Sequence, residues 1–414
     1  MRTWSALVGL SLAATLARAQ MVPLTGEFQV HTYTTNDQVY PSIAAAASGA
    51  FVVVWESRVQ DPDGSRGIVA SRFDPSGQPI GGEIAVNAYF TGGQIRTEVT
   101  ATPSGGFVVV WDSFLQDGSS YGVFGRAFNE SGTPLGPEFQ VNAFTTGPQY
   151  GADVAVAGDG HFVVVWGSRG QDGDSAGVLG RLFDPSGTPL GPEFLVNTYT
   201  TSTQASPAVA MNADGAFVVT WNSLDQDGSE RGVFAQRFAP DATPVGPELA
   251  VNTFTTSFQR SSAVAVDGAG GFVVAWHSYG QDGDNRGIFA RRYNPSGIPL
   301  GPEFQVNTFT PGPQYGPSVA MDTGGGFVVT WDSFGPDGSS YAIAARRFDA
   351  SAAALSDEFI VNAYTPASQF GPVVAPQPGG AFVIAWNSPA DASAYGVFAR
   401  RFGDDILFRD GFED

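Results

Sequence analysis

Four charged residues stand where the rest of this chain repeats small or apolar groups: Arg96, Glu98, Asp153 and Arg260. Each follows shortly after a recurring glutamine, in a segment that elsewhere reads "QYGPSVAM". Two carboxylates and two guanidiniums could supply an acid and a base for hydrolysis, or polar anchors for a ligand. Aromatic residues lie beside them at Tyr40, Tyr150, Tyr315 and Phe370. A second variable position follows each recurring tryptophan by three residues: Arg58, Phe114, Arg169, Leu224, Tyr279, Phe334 and Pro389. Aromatic side chains and arginine are favoured at binding surfaces. The candidate binding residues are therefore Arg96, Glu98, Asp153, Arg260, Tyr150, Tyr315, Arg58, Arg169, Phe114, Tyr279 and Phe334, and no catalytic residue is assigned.

Metal chemistry has little to draw on. The chain has no cysteine, and its 3 histidines, His31, His161 and His277, are scattered without ligand spacing. Asp-Gly turns do carry carboxylate pairs at Asp61 and Asp63, Asp172 and Asp174, Asp282 and Asp284. Calcium takes roughly six to eight oxygens, usually several from carboxylates. The equivalent turn at Asp117-Gly118-Ser119-Ser120 offers only one such residue. A hairpin turn explains the motif better, with calcium in some copies as the alternative, and no cofactor is expected.

The tryptophans set the frame that must position the candidates. Trp55, Trp111, Trp166, Trp221, Trp276, Trp331 and Trp386 recur once at 56 residues and thereafter at 55, so the chain holds seven copies of one unit. Each copy contains four strand-like segments, typified by "PSVAM" at 317–321, "GFVVTWDS" at 326–333, "GVFARRF" at 396–402 and "EFQVNTF" at 303–309. Gly, Pro and Asp punctuate the gaps, while Val, Phe and Thr fill the segments without helical periodicity.

The second segment, as in Phe107 to Trp111, is apolar on both faces, and both faces must then be covered. Four-stranded sheets arranged face to face in a ring meet that demand. The predicted fold is all-β, a seven-bladed β-propeller of antiparallel strands over residues 27–402. The phase of the repeat agrees: a lone fourth segment at 27–33 precedes the first complete unit, and the last unit stops after its third. The first segment would close the ring as the outer strand of the last blade, removing a free edge.

Residues that recur in every copy are expected to solve a folding problem, since a binding or catalytic site needs one set of groups. These are the serine two after each tryptophan, the glutamine before each inner strand, and an arginine near the end of each third strand: Arg72, Arg126, Arg181, Arg237, Arg292, Arg347 and Arg401. The arginines are expected to tie neighbouring blades through carbonyls or carboxylates.

The repeat "GGFVVVWxSxxQDGxxxGVFARRFDPSGxPLGPEFQVNTxT" resembles repeats of secreted bacterial β-propeller proteins, including segments of large haemolysin-type calcium-binding adhesins. The nonapeptide calcium repeats of those adhesins are missing, so their calcium chemistry is not implied. The likeness implies an extracellular place more than an activity. Residues 1–19 agree, with Arg2, a short apolar stretch and Ala17-Arg18-Ala19 reading as a signal peptide cut after Ala19. Residues 403–414, ending "DDILFRDGFED", read as a separate C-terminal tail.

The formal charge is −20 and all 20 basic residues are arginine, a balance that repels nucleic acid and anionic membranes. After the leader, no segment is long and apolar enough to span a bilayer. The expected function is a secreted, monomeric, non-enzymatic binding or scaffold module that recognises a glycan, peptide or partner protein on its loop face. The alternative is a carbohydrate-active enzyme, a polysaccharide lyase or glycosidase, using Glu98 and Asp153 at the mouth of the central channel.

Overall fold

The computed structural model describes residues 21–391 and 394–404. The leader at 1–19 and the tail from 405 onward lie outside the described residues. Seven antiparallel sheets follow one another along the chain, and their innermost strands pack side by side until the last meets the first. This is the seven-bladed propeller that the repeat predicts. The only helical element among the described residues is one 3-10 turn, Pro378–Gly380, so no described helix could cross a membrane.

The sixth blade shows the plan of the others. Gln314–Met321 is innermost, followed by Phe327–Phe334, Tyr341–Phe348 and the outer Phe359–Ile360. Seven interblade cores replace a single centre. Each tryptophan is fully buried and packs into the preceding blade; Trp331, for example, meets Ala275, Ile288 and Ala290 of the fifth. A buried tryptophan removes roughly 150–250 Å² from water, a gross gain of about 4–6 kcal/mol before ordering entropy.

The ring closes as the phase of the repeat requires. Phe28–Gln29 pairs antiparallel with Gly396–Asp404, with Phe28 opposite Ala399. Pairing extends beyond the predicted boundaries, because Met21–Pro23 lies against Phe402, Gly403 and Asp404 of the same strand.

The outer strands are shorter than expected, two residues instead of seven. In the fifth blade Val306 donates its N–H to the carbonyl of Ile288, but the Ile288 N–H goes to Asn307 Oδ1 at 2.8 Å. The asparagine side chain thus takes the place of the next backbone carbonyl and ends the ladder. His31 occupies this position in the closing strand, where Nδ1 lies 3.0 Å from the Tyr33 carbonyl.

The recurring residues are structural, as expected. The glutamines and serines are fully buried. Trp55 donates its indole N–H to Gln38 Oε1 at 2.9 Å, and Ser57 Oγ donates to Gln60 of the following turn at 2.7 Å. The arginines do tie blades together, but in two registers. Arg126 and Arg181 stand two residues before the closing aromatic and reach back to the carbonyls of Val86 and Val141 in the preceding blade. Arg72, Arg237 and Arg292 stand one residue before it and reach forward to carbonyls of Glu130, Pro295 and Ala350 in the next blade. Alternation in a strand sends adjacent side chains to opposite faces, which explains the two directions.

The Asp-Gly turns hold themselves. Asp63 Oδ1 accepts the Ser65 N–H and Oδ2 the Gly92 N–H, while Asp61 Oδ2 accepts from Asn87. No group of three or more His, Asp or Glu side chains among the described residues is arranged to hold a metal.

Candidate functional site

Every inner strand carries a β-bulge just after its glutamine. The residue two after the glutamine has a positive φ, including the non-glycine residues Tyr40 (56°), Arg96 (53°), Ser206 (55°) and Ser261 (55°). Such a conformation costs a side-chain-bearing residue about 1–2 kcal/mol. The twist turns its N–H out of the ladder toward the preceding blade. Glu56 Oε1 accepts the Arg96 N–H at 2.8 Å, Asp332 Oδ1 that of Gly371 at 2.8 Å, and Asn387 Oδ1 that of Tyr40 at 2.8 Å.

These acceptors share one position, directly after the tryptophan. It varies freely between two constant residues: Glu56, Asp112, Gly167, Asn222, His277, Asp332 and Asn387. Sequence reasoning missed it, although variation inside an otherwise constant Trp-x-Ser was the available signal. The register sets it opposite the residue after the glutamine, as in Tyr315 with Asp332 and Arg260 with His277. The residue opening the third strand, such as Tyr341 or Arg286, pairs with the loop position three after the tryptophan. Because the tryptophan points into the preceding blade, these four positions share the face toward the next blade. Each interblade cleft on the loop face is therefore lined by whatever the repeat leaves variable.

Between the sixth and seventh blades that lining forms a cavity of about 340 Å³, bounded by Tyr315, Asp332, Tyr341, Ser368, Phe370 and Tyr395. Tyr315 and Tyr341 are tilted with centroids 5.7 Å apart, and Phe334 meets Tyr341 edge-on at 5.2 Å. On the opposite wall Phe370 meets Tyr395 edge-on at 5.1 Å and Tyr40 at 6.4 Å. Burial pushes the Asp332 carboxyl up to about 8, against the opposing effect of the Gly371 N–H. At neutral pH it is mainly a carboxylic acid that can both donate and accept.

Between the fifth and sixth blades the lining is cationic. Arg260 Nε donates to His277 Nε2 at 3.2 Å, and its guanidinium lies 4.8 Å from the Phe258 ring centre. Arg286 sits 5.2 Å from the Phe258 ring centre and 4.4 Å from that of Tyr315. Tyr279 packs beside Phe258 at 5.2 Å. Burial first, then Arg260 and Arg286, push His277 down to about 3, so it is neutral.

The loop-face arginines of the first and second blades are compensated instead. Arg58 pairs with Asp37 at 2.9 Å, Arg66 with Glu56 at 2.9 Å, and Arg96 with Asp112 at 3.2 Å. Arg96 also lies 5.9 Å from the Tyr150 ring centre. Burial pushes Asp112 up to about 7 despite the N–H groups of Gly151 and Ala152 and the Arg96 charge.

Glu98 and Asp153 lie deeper, opposite Val110 and Val165 along their inner strands. Glu98 Oε2 accepts from Ser42 Oγ at 2.7 Å, and Asp153 Oδ2 accepts the Val209 N–H of the next blade at 2.7 Å. Desolvation raises both carboxyls, and the Asp153 charge raises Glu98 further. Both thus stitch inner strands together.

The structure accordingly gathers Arg260, Tyr315, Tyr279 and Phe334 around the fifth and sixth blades, and sets Arg96 by Tyr150. Arg58, Phe114 and Arg169 belong to separate clefts, with Phe114 against its own blade's Tyr121 at 5.1 Å. A second cavity of about 410 Å³ lies at the opposite rim between the second and third blades, and its one ionisable lining residue, Asp159, is engaged by His161.

No protein family and no curated relative matches this sequence. Solved structures do share its fold. A protein of unknown function from Dyadobacter fermentans matches with a TM-score of 0.56 at 10% identity, over 94% of this chain and 100% of its own. The α-L-arabinanase of Penicillium chrysogenum, solved with arabinobiose, matches at 0.54 and 14% identity, over 80% of this chain and 99% of its own. The α-L-arabinofuranosidase Arb93A of Fusarium graminearum, solved with an iminosugar inhibitor, matches at 0.52 and 11%, over 94% and 100%. At such identities the likeness establishes the architecture: this chain is a β-propeller.

Proposed function

We propose that this protein is an exported, non-enzymatic glycan-binding propeller that takes a sugar chain into the cleft between its sixth and seventh blades. The observation that carries this reading is the 340 Å³ cavity walled by Tyr315, Tyr341, Phe370 and Tyr395, with Asp332 among its lining. A sugar ring presents apolar C–H faces and a polar equator of hydroxyls. Aromatic walls take the faces, and the neutral Asp332 carboxyl and the tyrosine hydroxyls take the equator. The volume falls within the roughly 300–1,000 Å³ of small-molecule sites. Two of the solved structures that share the architecture carry sugar-processing names, which supports the ligand class.

A second reading, hydrolysis or elimination at the central channel, draws on the raised carboxyls of Glu98 and Asp153. A general acid needs such a raised value. Both groups already hold inner strands together, which favours the binding reading. A glycan array probed with the wild type and with Tyr315→Ala and Tyr341→Ala decides. The proposal expects signals that fall at least about tenfold in the variants, the loss of roughly 1.4 kcal/mol. Signals unchanged in both variants, or released reducing sugar lost in Glu98→Gln, would overturn it.

A further inference from the structure

The cationic cleft next to this cavity is the feature that the aromatic walls leave unexplained. Arg260 and Arg286 both stack on Phe258, and Arg231, which opens the third strand of the fourth blade, bridges to the same residue; burial first, then the charges of Arg286 and Arg231, hold the Arg260 guanidinium below its ordinary value. None of them forms an ion pair among the described residues, whereas Arg58, Arg66 and Arg96 on the same rim each have a carboxylate. A protein of formal charge −20 does not lack carboxylates to place there. The position opposite Arg260, which is Glu56 or Asp112 in the first and second blades, is here the neutral His277.

His277 Nε2 accepts a hydrogen bond from the Arg260 Nε–H, which leaves the terminal Nη groups of Arg260 unspent among the described residues. The same bond puts the histidine proton on Nδ1, which is buried without a partner among the described residues. Arg286 Nε, held between the rings of Phe258 and Tyr315, likewise has no partner among the described residues. Unsatisfied buried donors and adjacent like charges both oppose folding. Tyr315 belongs both to this cleft, under Arg286, and to the aromatic cavity.

We infer that Arg260 and Arg286, with Arg231 beside them, form an anion subsite that continues the aromatic cleft, and that the glycan it holds is acidic, carrying carboxylate or sulfate groups. The inference rests on the glycan-binding reading and names its ligand class. Paired guanidiniums offer forked N–H donors that match the oxygens of either anion. Phe258 and Tyr315 fix the two planes by stacking. His277 acts as a positioning residue for Arg260, because it holds Nε without adding charge.

Affinity electrophoresis of the full chain tests this with four probes: polygalacturonate, its fully methyl-esterified form, dextran sulfate and dextran. The expected result is retardation by at least one anionic probe and none by its uncharged counterpart. Which anionic probe acts separates carboxylate from sulfate. Arg260→Gln with Arg286→Gln should weaken that binding by at least about tenfold, the usual scale for losing charge-assisted contacts, while leaving the thermal midpoint near that of the wild type. If the double variant does not fold, the two wild-type comparisons, pectate with its methyl ester and dextran sulfate with dextran, still decide. Equal binding of charged and uncharged forms, no binding of either anionic probe, or full binding by a folded double variant overturns the inference. Neutral glycans that bind through Tyr315 and Tyr341 in those cases would leave the glycan-binding proposal standing.

Discussion

Phe28 lies directly opposite Ala399 in the antiparallel ladder of the last blade, so the two ends of the propeller are one sheet. Arg401 strengthens the join by donating its backbone N–H to Thr25 Oγ1 at 3.2 Å. A chain that begins at Val30 would expose the edge of Gly396–Asp404. It should aggregate or unfold at lower temperature than a chain lacking only residues 405–414. Thermal unfolding with light scattering checks this, and equal behaviour of the two truncations would contradict closure by the N-terminal strand.

Within each blade the cost of a change should follow its burial. Trp276→Ala should destabilise by about 3–5 kcal/mol through the cavity it leaves. Asn307→Ala should cost about 1–3 kcal/mol, because the Ile288 N–H loses its acceptor inside the core. Urea unfolding measures both. A near-neutral Asn307→Ala would mean that the short outer strands are not ended by this side chain.

The channel carboxylates make a pH prediction. Desolvation raises Glu98 above its ordinary value of 4.5. A raised carboxyl contributes stability that is fully present below the unfolded value and is lost as pH rises through the folded one. Glu98→Gln keeps an acceptor for Ser42 and cannot ionise. It should match the wild type near pH 4.5 and exceed it by about 1 kcal/mol or more near pH 9, one pKa unit being about 1.4 kcal/mol. His277 has the opposite sign, its stabilisation being present above 6.5 and lost as pH falls toward about 3. A variant no more stable than the wild type at high pH would count against a desolvated Glu98.

How far the sequence discloses this molecule depends on which residues repeat. Seven tryptophans give the blade count, and the unpaired first and last segments give the closure, because a core position must recur wherever the same packing problem recurs. The two-residue outer strands were not legible, since they depend on Asn307 and its equivalents displacing a backbone carbonyl. Nor were the bulges, because Tyr40, Arg96, Ser206 and Ser261 carry a positive φ without being glycine. The candidate site was half legible. Arg260, Tyr315, Tyr279 and Phe334 stood out as departures, whereas Asp332, His277, Tyr341 and Arg286 were hidden beside constant residues whose faces point the other way. Glu98 and Asp153 also stood out, yet their variation follows inner-strand stitching.

That difference predicts a split among the departures. Asp153→Ala leaves the Val209 N–H unpaired and should destabilise by about 1–3 kcal/mol. Arg96→Ala removes a side chain that is 55% exposed and should change stability by less than about 1 kcal/mol. Urea titrations of the two variants side by side would show it, and equal losses would mean that the Arg96 pair with Asp112 is also structural.

The glycan-binding cleft is tested most directly by where a sugar sits. A crystal of the protein soaked with the oligosaccharide that gives the strongest array signal answers this in one measurement. A sugar ring is expected between Tyr341 and Phe370, with a hydroxyl in hydrogen-bond reach of Asp332. Sugar density in the channel beside Glu98 and Asp153, or in the cavity at the opposite rim near Asp159, would contradict it.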